Sequence, residues 1–420
     1  MSSKLVAITT LEEAVISSNT GADAIKRAPI VEEDTGIRCL RIGDVSNNKP
    51  YIEWGFTSAD EKVIEKFSLK KDDIVIARTG NTIGVVKYID KDTKSVYNNG
   101  LIRLKIDKNK FDPKYIYYNL RSKAFKDFVF AISGGTSTQP NMKINHTLKF
   151  EIANFKLADQ KAISKILSDL DKKIETNNQI NKKIEEMAQA IFKQWFVDFE
   201  FPNEKGDPYK SSGGEMVDSE LGMIPKGWKV SNLEGIIEFN PKETLKKDEE
   251  CKFIEMAALS NFSSNIQYWI GKNFCSGSKF RNGDTLLARI TPCLENGKTA
   301  FVDILEEDEV AFGSTEFIVM RANDLSNKYY IYCLAREDNF RAHAIKSMSG
   351  SSGRQRVQLD LLKNYKVAKS PQSIYSRFGN LLESLFRKIA NNNKETVRLV
   401  KIRDTLLPKL MSGEIRVQLE

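Results

Sequence analysis

The chain of 420 residues contains only two histidines, His146 and His343, and that scarcity closes off much chemistry. Histidine-rich metal sites are excluded, and a histidine-based catalytic centre would have to use one of the two. His146 follows a strand-like loop and His343 lies in a helical stretch. Neither stands in a triad context, so both read as structural or surface side chains. The five cysteines, Cys39, Cys251, Cys275, Cys293 and Cys333, include no C-x-x-C pair, which indicates neither a disulfide framework nor a zinc knuckle. No stretch approaches the roughly eighteen consecutive apolar residues of a membrane span. The expectation is a soluble, cytoplasmic protein with reduced, buried thiols.

Charge of one sign is also modest. Lys and Arg number 64 against 56 Asp and Glu, a net +8, which leans only mildly toward a polyanionic partner. Hydrophobic residues at 41% and charged ones at 29% rule out wholesale disorder. At about 100–200 residues per domain the chain has room for two to four.

What is present is repetition. "KKDDIVIARTG" (Lys70 to Gly80) matches "RNGDTLLARIT" (Arg281 to Thr291), aligning Asp73 with Asp284 and Arg78 with Arg289. "AISGGTSTQ" (Ala131 to Gln139) matches "SMSGSSGRQ" (Ser347 to Gln355), and "TTLEEAV" from Thr9 faintly matches "SNLEGII" from Ser231. Three matches in the same order mean one unit written twice.

The longest match is helical. Ile163, Leu167, Leu170, Ile174, Asn177, Asn181, Ile184, Ala188, Ile191 and Trp195 fall at alternating steps of four and three, the seam pattern of a coiled coil. Shifted by 215 positions, the series reads Phe378, Leu382, Leu385, Ile389, Asn392, Thr396, Leu399, Arg403, Leu406 and Leu410. Both copies carry polar residues at the same two central positions. Such residues weaken a seam but fix its register. Helices from about Asp159 to Val197 and from Ile374 to about Leu407 are predicted, the first spanning roughly 55–60 Å at about 1.5 Å per residue.

The remainder holds short β-branched and aromatic runs such as "DIVIAR", "LIRLKI" and "EFIVM", punctuated by Gly, Asn and Asp. The fold class is therefore mixed α/β. Two similar globular domains are separated by two long helices pairing as an antiparallel coiled coil, with a pseudo-two-fold internal repeat. Domains are assigned to residues 1–156 and 225–372, long helices to 157–200 and 373–420 (the latter with a tail), and a Pro/Gly/Ser-rich linker to 201–224. Two similar heads on a helical strut would suit a duplex with two separated sites. A stand-alone bipartite DNA-binding protein and a non-catalytic two-headed scaffold fit the same pattern.

Three segments then point to a family. "DSELGMIPKGWKV" (Asp218 to Val230), "EEMAQAIFKQWFVDFEFP" (Glu185 to Pro202) and "RDTLLPKLMSGEIRV" (Arg403 to Val417) resemble the conserved regions of the specificity subunits of type I restriction-modification enzymes. The first half departs from that pattern in lacking the Pro-x-Gly-Trp lead found at Pro225 to Trp228. The resemblance implies a non-catalytic DNA-reading subunit whose two target recognition domains each read half of a split, asymmetric site in double-stranded DNA. It implies docking of two adenine-methyltransferase subunits that use S-adenosylmethionine, and of restriction/translocase subunits that use ATP and Mg where a nuclease is present. No cofactor and no metal are expected in this chain.

The residues agree that catalysis is absent. The base-flipping Asn/Asp-Pro-Pro-Tyr/Phe motif is missing, the nearest approach being Asp207-Pro208-Tyr209. Gly297-Lys298-Thr299 ends like a P-loop, but the first glycine would fall at Pro292, which has no N–H for a phosphate.

Candidate DNA contacts come from two loops in each half, rich in forked, amide and hydroxyl side chains suited to base edges and phosphates. In the first half they are Arg78, Thr79 and Asn81, then Thr136, Ser137, Thr138, Gln139, Asn141 and Lys143, with His146 nearby. In the second they are Arg289, Thr291, Asn296 and Lys298, then Ser351, Ser352, Arg354, Gln355 and Arg356. Features shared by heads that read different sequences suit phosphate binding or structure better than base readout. Protein docking is assigned to Phe192, Trp195, Phe196 and Phe199, more aromatic bulk than a two-helix seam needs, with packing on a neighbouring globule as the other use for part of it. Charged helix faces are further contacts: Lys172, Lys173, Lys182, Lys183, Glu185 and Glu186, and Arg387, Lys388, Arg398 and Lys401.

Overall fold

Two helices dominate a computed structural model that describes residues 6–133, 141–351 and 353–417. The first runs Leu157–Phe192 and closes in a wide turn, Lys193–Val197; the second runs Gln372–Ser412. The second passes through Pro408 instead of ending before it. A proline removes one helical hydrogen bond, and burial of Leu410 and Met411 in an apolar core offsets that loss. The chain divides into two units, residues 1–174 with 397–420, and residues 175–396.

The first unit contains an antiparallel sheet in the order Val15–Thr20, Leu101–Ile106, Ile74–Ala77, Val86–Tyr88. A second sheet, Ile30–Val31, Gly55–Thr57, Arg38–Leu40, Ser95–Tyr97, has one parallel pair, Arg38–Leu40 with Ser95–Tyr97. Helices Pro113–Arg121 and Lys123–Ile132 follow, broken at Ser122, whose hydroxyl caps the second by accepting from Phe125 N.

The second unit repeats this plan. Its antiparallel sheet runs Ile237–Phe239, Phe317–Ala322, Thr285–Ala288, Thr299–Phe301. Its other sheet again has one parallel pair, Glu250–Ile254 with Ala311–Gly313. Helices Lys328–Arg336 and Asp338–Lys346 are broken at Glu337, which caps the second. The aligned aspartates are turn anchors: Asp73 Oδ2 accepts from Lys70 N and Asp284 Oδ2 from Arg281 N, each at 2.9 Å.

All the seam positions, Ile163, Leu167, Leu170, Ile174, Asn177, Asn181 and Ile184 on one helix and Phe378, Leu382, Leu385, Ile389, Asn392, Thr396 and Leu399 on the other, are buried or half-buried. Within the second unit the polar centre is hydrogen-bonded across the pair. Asn392 Nδ2 donates to Asn181 Oδ1 and Asn181 Nδ2 to Asn393 Oδ1, both at 2.8 Å. Asn177 Nδ2 donates to Glu395 at 2.9 Å. Later residues of one helix meet earlier residues of the other, so the pair is antiparallel. Within the first unit Asp171 receives Arg403 (2.8 Å), Arg121 (2.6 Å) and Tyr118 Oη (2.9 Å). Burial pushes this carboxyl up, but the two guanidiniums and the hydrogen bonds outweigh it and hold it below the usual carboxylate range.

Two sequence-based assignments change and a third gains detail. The docking aromatics are core: Phe192, Trp195 and Phe196 are buried in the second unit, and Phe199 packs half-buried against Trp228. Tyr330, Tyr375 and Phe378 supply the apolar surface those rings cover. The linker segment 201–224 is anchored at its ends, where Phe201 stacks between Tyr209 (4.6 Å) and Trp228 (5.3 Å) and Ile224 is buried, while most residues between them are exposed. Glu185 is buried instead of lying on an exposed face. It binds Ser263, Ser264, Tyr332 and Arg336, which tie the helix to the globule.

Candidate nucleic-acid interface

In both units a buried strand delivers an arginine to the end of a sheet. Ile74–Ala77 and Thr285–Ala288 are covered on both faces, which suits short runs of apolar and β-branched residues. The next residue is the first to leave that cover: Arg78 in one unit, Arg289 in the other, both half-buried.

The backbone around these two arginines is bonded alike. Arg78 N donates to Gly100 O (2.9 Å) and Arg78 O accepts from Met142 N (2.8 Å). Arg289 N donates to Glu316 O (2.9 Å) and Arg289 O accepts from Val357 N (2.8 Å). Met142 and Val357 are buried, so each returning loop is pinned beside the arginine by an apolar anchor. The two candidate loops that lie far apart in sequence therefore meet in each unit. In the first, Thr79 bridges Asn141 and Arg78 Nη2 donates to Asn141 Oδ1 at 3.0 Å. In the second, Ile290 bridges Arg356 and Thr291 N donates to Gln355 O at 3.1 Å. The Nε of Arg78 and of Arg289 is buried without a hydrogen-bond partner, an unusual condition for a polar group and shared by the two equivalent positions.

Around this frame Asn81, Asn141 and Lys143 are exposed in the first unit, and Asn296, Ser351, Arg354 and Arg356 in the second; Thr79, Thr291 and Gln355 are half-buried. The left-handed backbone of Gly80 (φ 79°) and Gly84 (φ 84°) closes the tip that carries Asn81. Lys298 departs from expectation. Its ammonium turns inward to the Met256 carbonyl at 2.7 Å, because residues 256–261 pack beside it. Thr136, Ser137, Thr138, Gln139 and Ser352 lie outside the described residues. His146 is exposed; His343 packs on Tyr365 and bonds Leu361 O, a structural placement. Among the described residues no group of three or more His, Cys, Asp or Glu is arranged to hold a metal, and no helix is long and apolar enough to cross a membrane.

One charged side chain beside this frame escaped the sequence reading. Glu316 lies against Arg356, whose Nε and Nη2 reach its carboxylate at 3.0 and 2.6 Å, with Arg289 Nε 4.0 Å away. The hydrogen bonds from Arg356 hold its carboxyl below the usual range. The first unit has Gly100 at that position and no carboxylate. Aligning "NNGLI" (Asn98 to Ile102) with "STEFI" (Ser314 to Ile318) would have set Glu316 opposite Gly100.

A family model described as the type I restriction modification DNA specificity domain matches residues 32–186 and 225–399. The specificity subunit of the type I restriction enzyme MjaIX from Methanocaldococcus jannaschii is 28% identical over 88% of this chain and 84% of its own length. That of HindI from Haemophilus influenzae is 23% identical over 90% and 94%. Among solved structures, an S subunit of a type I restriction-modification system from M. genitalium covers 100% of this chain and 98% of its own, with a TM-score of 0.57 at 18% identity, a likeness of fold.

Proposed function

The chain belongs to the type I restriction-modification DNA specificity family, and we propose that it is the sequence-reading subunit of such an enzyme, each unit reading one half of a split, asymmetric site in double-stranded DNA. The observation that carries this reading is the arginine frame. Both units hold an arginine at a strand end, brace it with the same backbone bonds, and surround it with different exposed side chains. A shared frame suits phosphate, which is the same everywhere along a duplex; the unmatched side chains suit base edges, which differ between half-sites.

The chain supplies recognition and no chemistry. Two adenine-methyltransferase subunits dock on it and bring S-adenosylmethionine; restriction subunits, where present, bring ATP and Mg. With the aromatics buried, docking falls to exposed helix faces, including Lys182, Lys183 and Glu186 in one unit and Arg398 and Lys401 in the other.

The test is to purify the chain with its methyltransferase subunits and map methylated adenines across a genome. Two short blocks separated by a non-specific gap are expected; a contiguous motif, or none, overturns the reading. Arg78→Ala and Arg289→Ala are each expected to weaken duplex binding about tenfold and to flatten the log–log salt dependence by about 0.9, one phosphate contact. Fluorescence anisotropy across a salt titration measures both, and slopes equal to the parent's would remove the phosphate role.

A further inference from the structure

We propose that Glu316 is a specificity-determining residue of the second unit: it occupies the Arg356 fork until a matching half-site replaces it, suppressing indiscriminate phosphate binding there. The inference rests on the DNA-reading role above and adds a device to it.

A carboxylate amid candidate phosphate contacts opposes binding of a polyanion, so its presence needs a reason. The geometry supplies one. Arg356 Nε donates to Glu316 Oε2 and Nη2 to Oε1, the side-by-side bidentate arrangement that a guanine edge also requires. Glu316 is held in place by its own backbone, its N–H donating to Ser314 Oγ at 3.1 Å and its carbonyl accepting from Arg289. The Glu316 side chain is 22% exposed and that of Arg356 46%, so the pair is open to solvent and to a ligand on one side. At that exposure the attraction is weak in water, and a better-matched acceptor can displace it. A phosphate, whose two free oxygens could also take the fork, brings a full negative charge up to the Glu316 carboxylate and is repelled by it. A base edge offering two acceptors exchanges like for like.

Among the described residues the first unit lacks this device. Gly100 stands in the place of Glu316, and Arg78 is braced by the neutral amide of Asn141. The two units therefore differ in charge at equivalent points of an otherwise shared frame. The second is expected to be the more discriminating and the first to contribute more sequence-independent affinity.

The test is Glu316→Gln in the full-length chain, assayed by anisotropy on a duplex carrying the mapped motif and on a scrambled duplex, each through a salt titration. Glutamine keeps the shape and removes the charge, and an unchanged melting temperature certifies the fold. The variant is expected to bind the scrambled duplex several-fold more tightly, with a slope steeper by about 0.9. Its preference for the motif is expected to fall by about fivefold or more, the low end for one bidentate contact. Arg356→Ala should lower affinity for the motif and leave the scrambled duplex nearly unaffected. If Glu316→Gln changes neither slope nor preference while Arg289→Ala weakens binding, the gate is wrong and the interface stands. If none of the three variants alters DNA binding, the interface itself is misplaced.

Discussion

Glu185→Ala is expected to lower the unfolding free energy of the second unit by about 3–5 kcal/mol, the range for breaking a buried ion pair from one side. The carboxylate is 6% exposed. It accepts from Ser264 N (3.0 Å), Ser264 Oγ (3.1 Å), Ser263 Oγ (2.9 Å), Tyr332 Oη (2.7 Å) and Arg336 Nη1 (3.0 Å). Removing it strands a buried guanidinium, a phenol and a backbone N–H, each without water to replace the lost partner. Urea unfolding followed by tryptophan fluorescence is a suitable readout, because Trp195, Trp228 and Trp269 report on the second unit and Trp54 alone on the first. An unchanged midpoint would mean that apolar packing alone holds the helix to its globule. Glu185→Gln should fall between the two, since the amide keeps one acceptor but turns a donor toward groups that are themselves donors.

Phe196→Ala is expected to cost about 3–5 kcal/mol, as for other large-to-small changes in a packed core. Its ring lies 4.7 Å from Tyr330, 5.0 Å from Phe378 and 5.6 Å from Tyr375, so truncation opens a void among rigid rings that cannot collapse into it. Lys193→Ala, on the same turn but exposed and paired with Asp198, should change stability by no more than about 0.5 kcal/mol. The comparison separates core from docking surface. A docking residue would lose methyltransferase binding with the melting temperature intact. A core residue loses the melting temperature first, and binding only as a consequence.

The aromatic segment shows where sequence reasoning ran short. Phe192, Trp195 and Phe196 give more aromatic bulk than a two-helix seam needs, and the sequence left them to docking or to packing on a globule, of which the fold shows the second. Periodicity could not say what covered them, because the partners come from Trp228, Tyr330, Tyr375 and Phe378, far along the chain. Glu185 failed for the same reason. Beside Glu186 it reads as one of two solvated carboxylates on a helix, and only the approach of Ser263, Ser264 and Arg336 distinguishes them. The frame of the candidate interface was legible. The strand-end arginines and the returning loops, paired by the repeat, meet in both units, whereas the turn of Lys298 toward the Met256 carbonyl is a matter of packing.

The sequence by itself determined the duplicated plan, the two long helices with their heptad register, the polar centre of the seam and the arginines at equivalent strand ends. Each is local or periodic information, set by side-chain spacing and by repetition of the same residues at a constant interval. Tertiary structure decided which apolar faces are core, which carboxylates are buried, and that Gly100 in one unit is answered by Glu316 in the other. Those outcomes depend on residues distant in the chain meeting in space, and a contact between them leaves no mark on the spacing of either. The Glu316–Arg356 pair, formed only on folding, distinguishes one unit from its repeat.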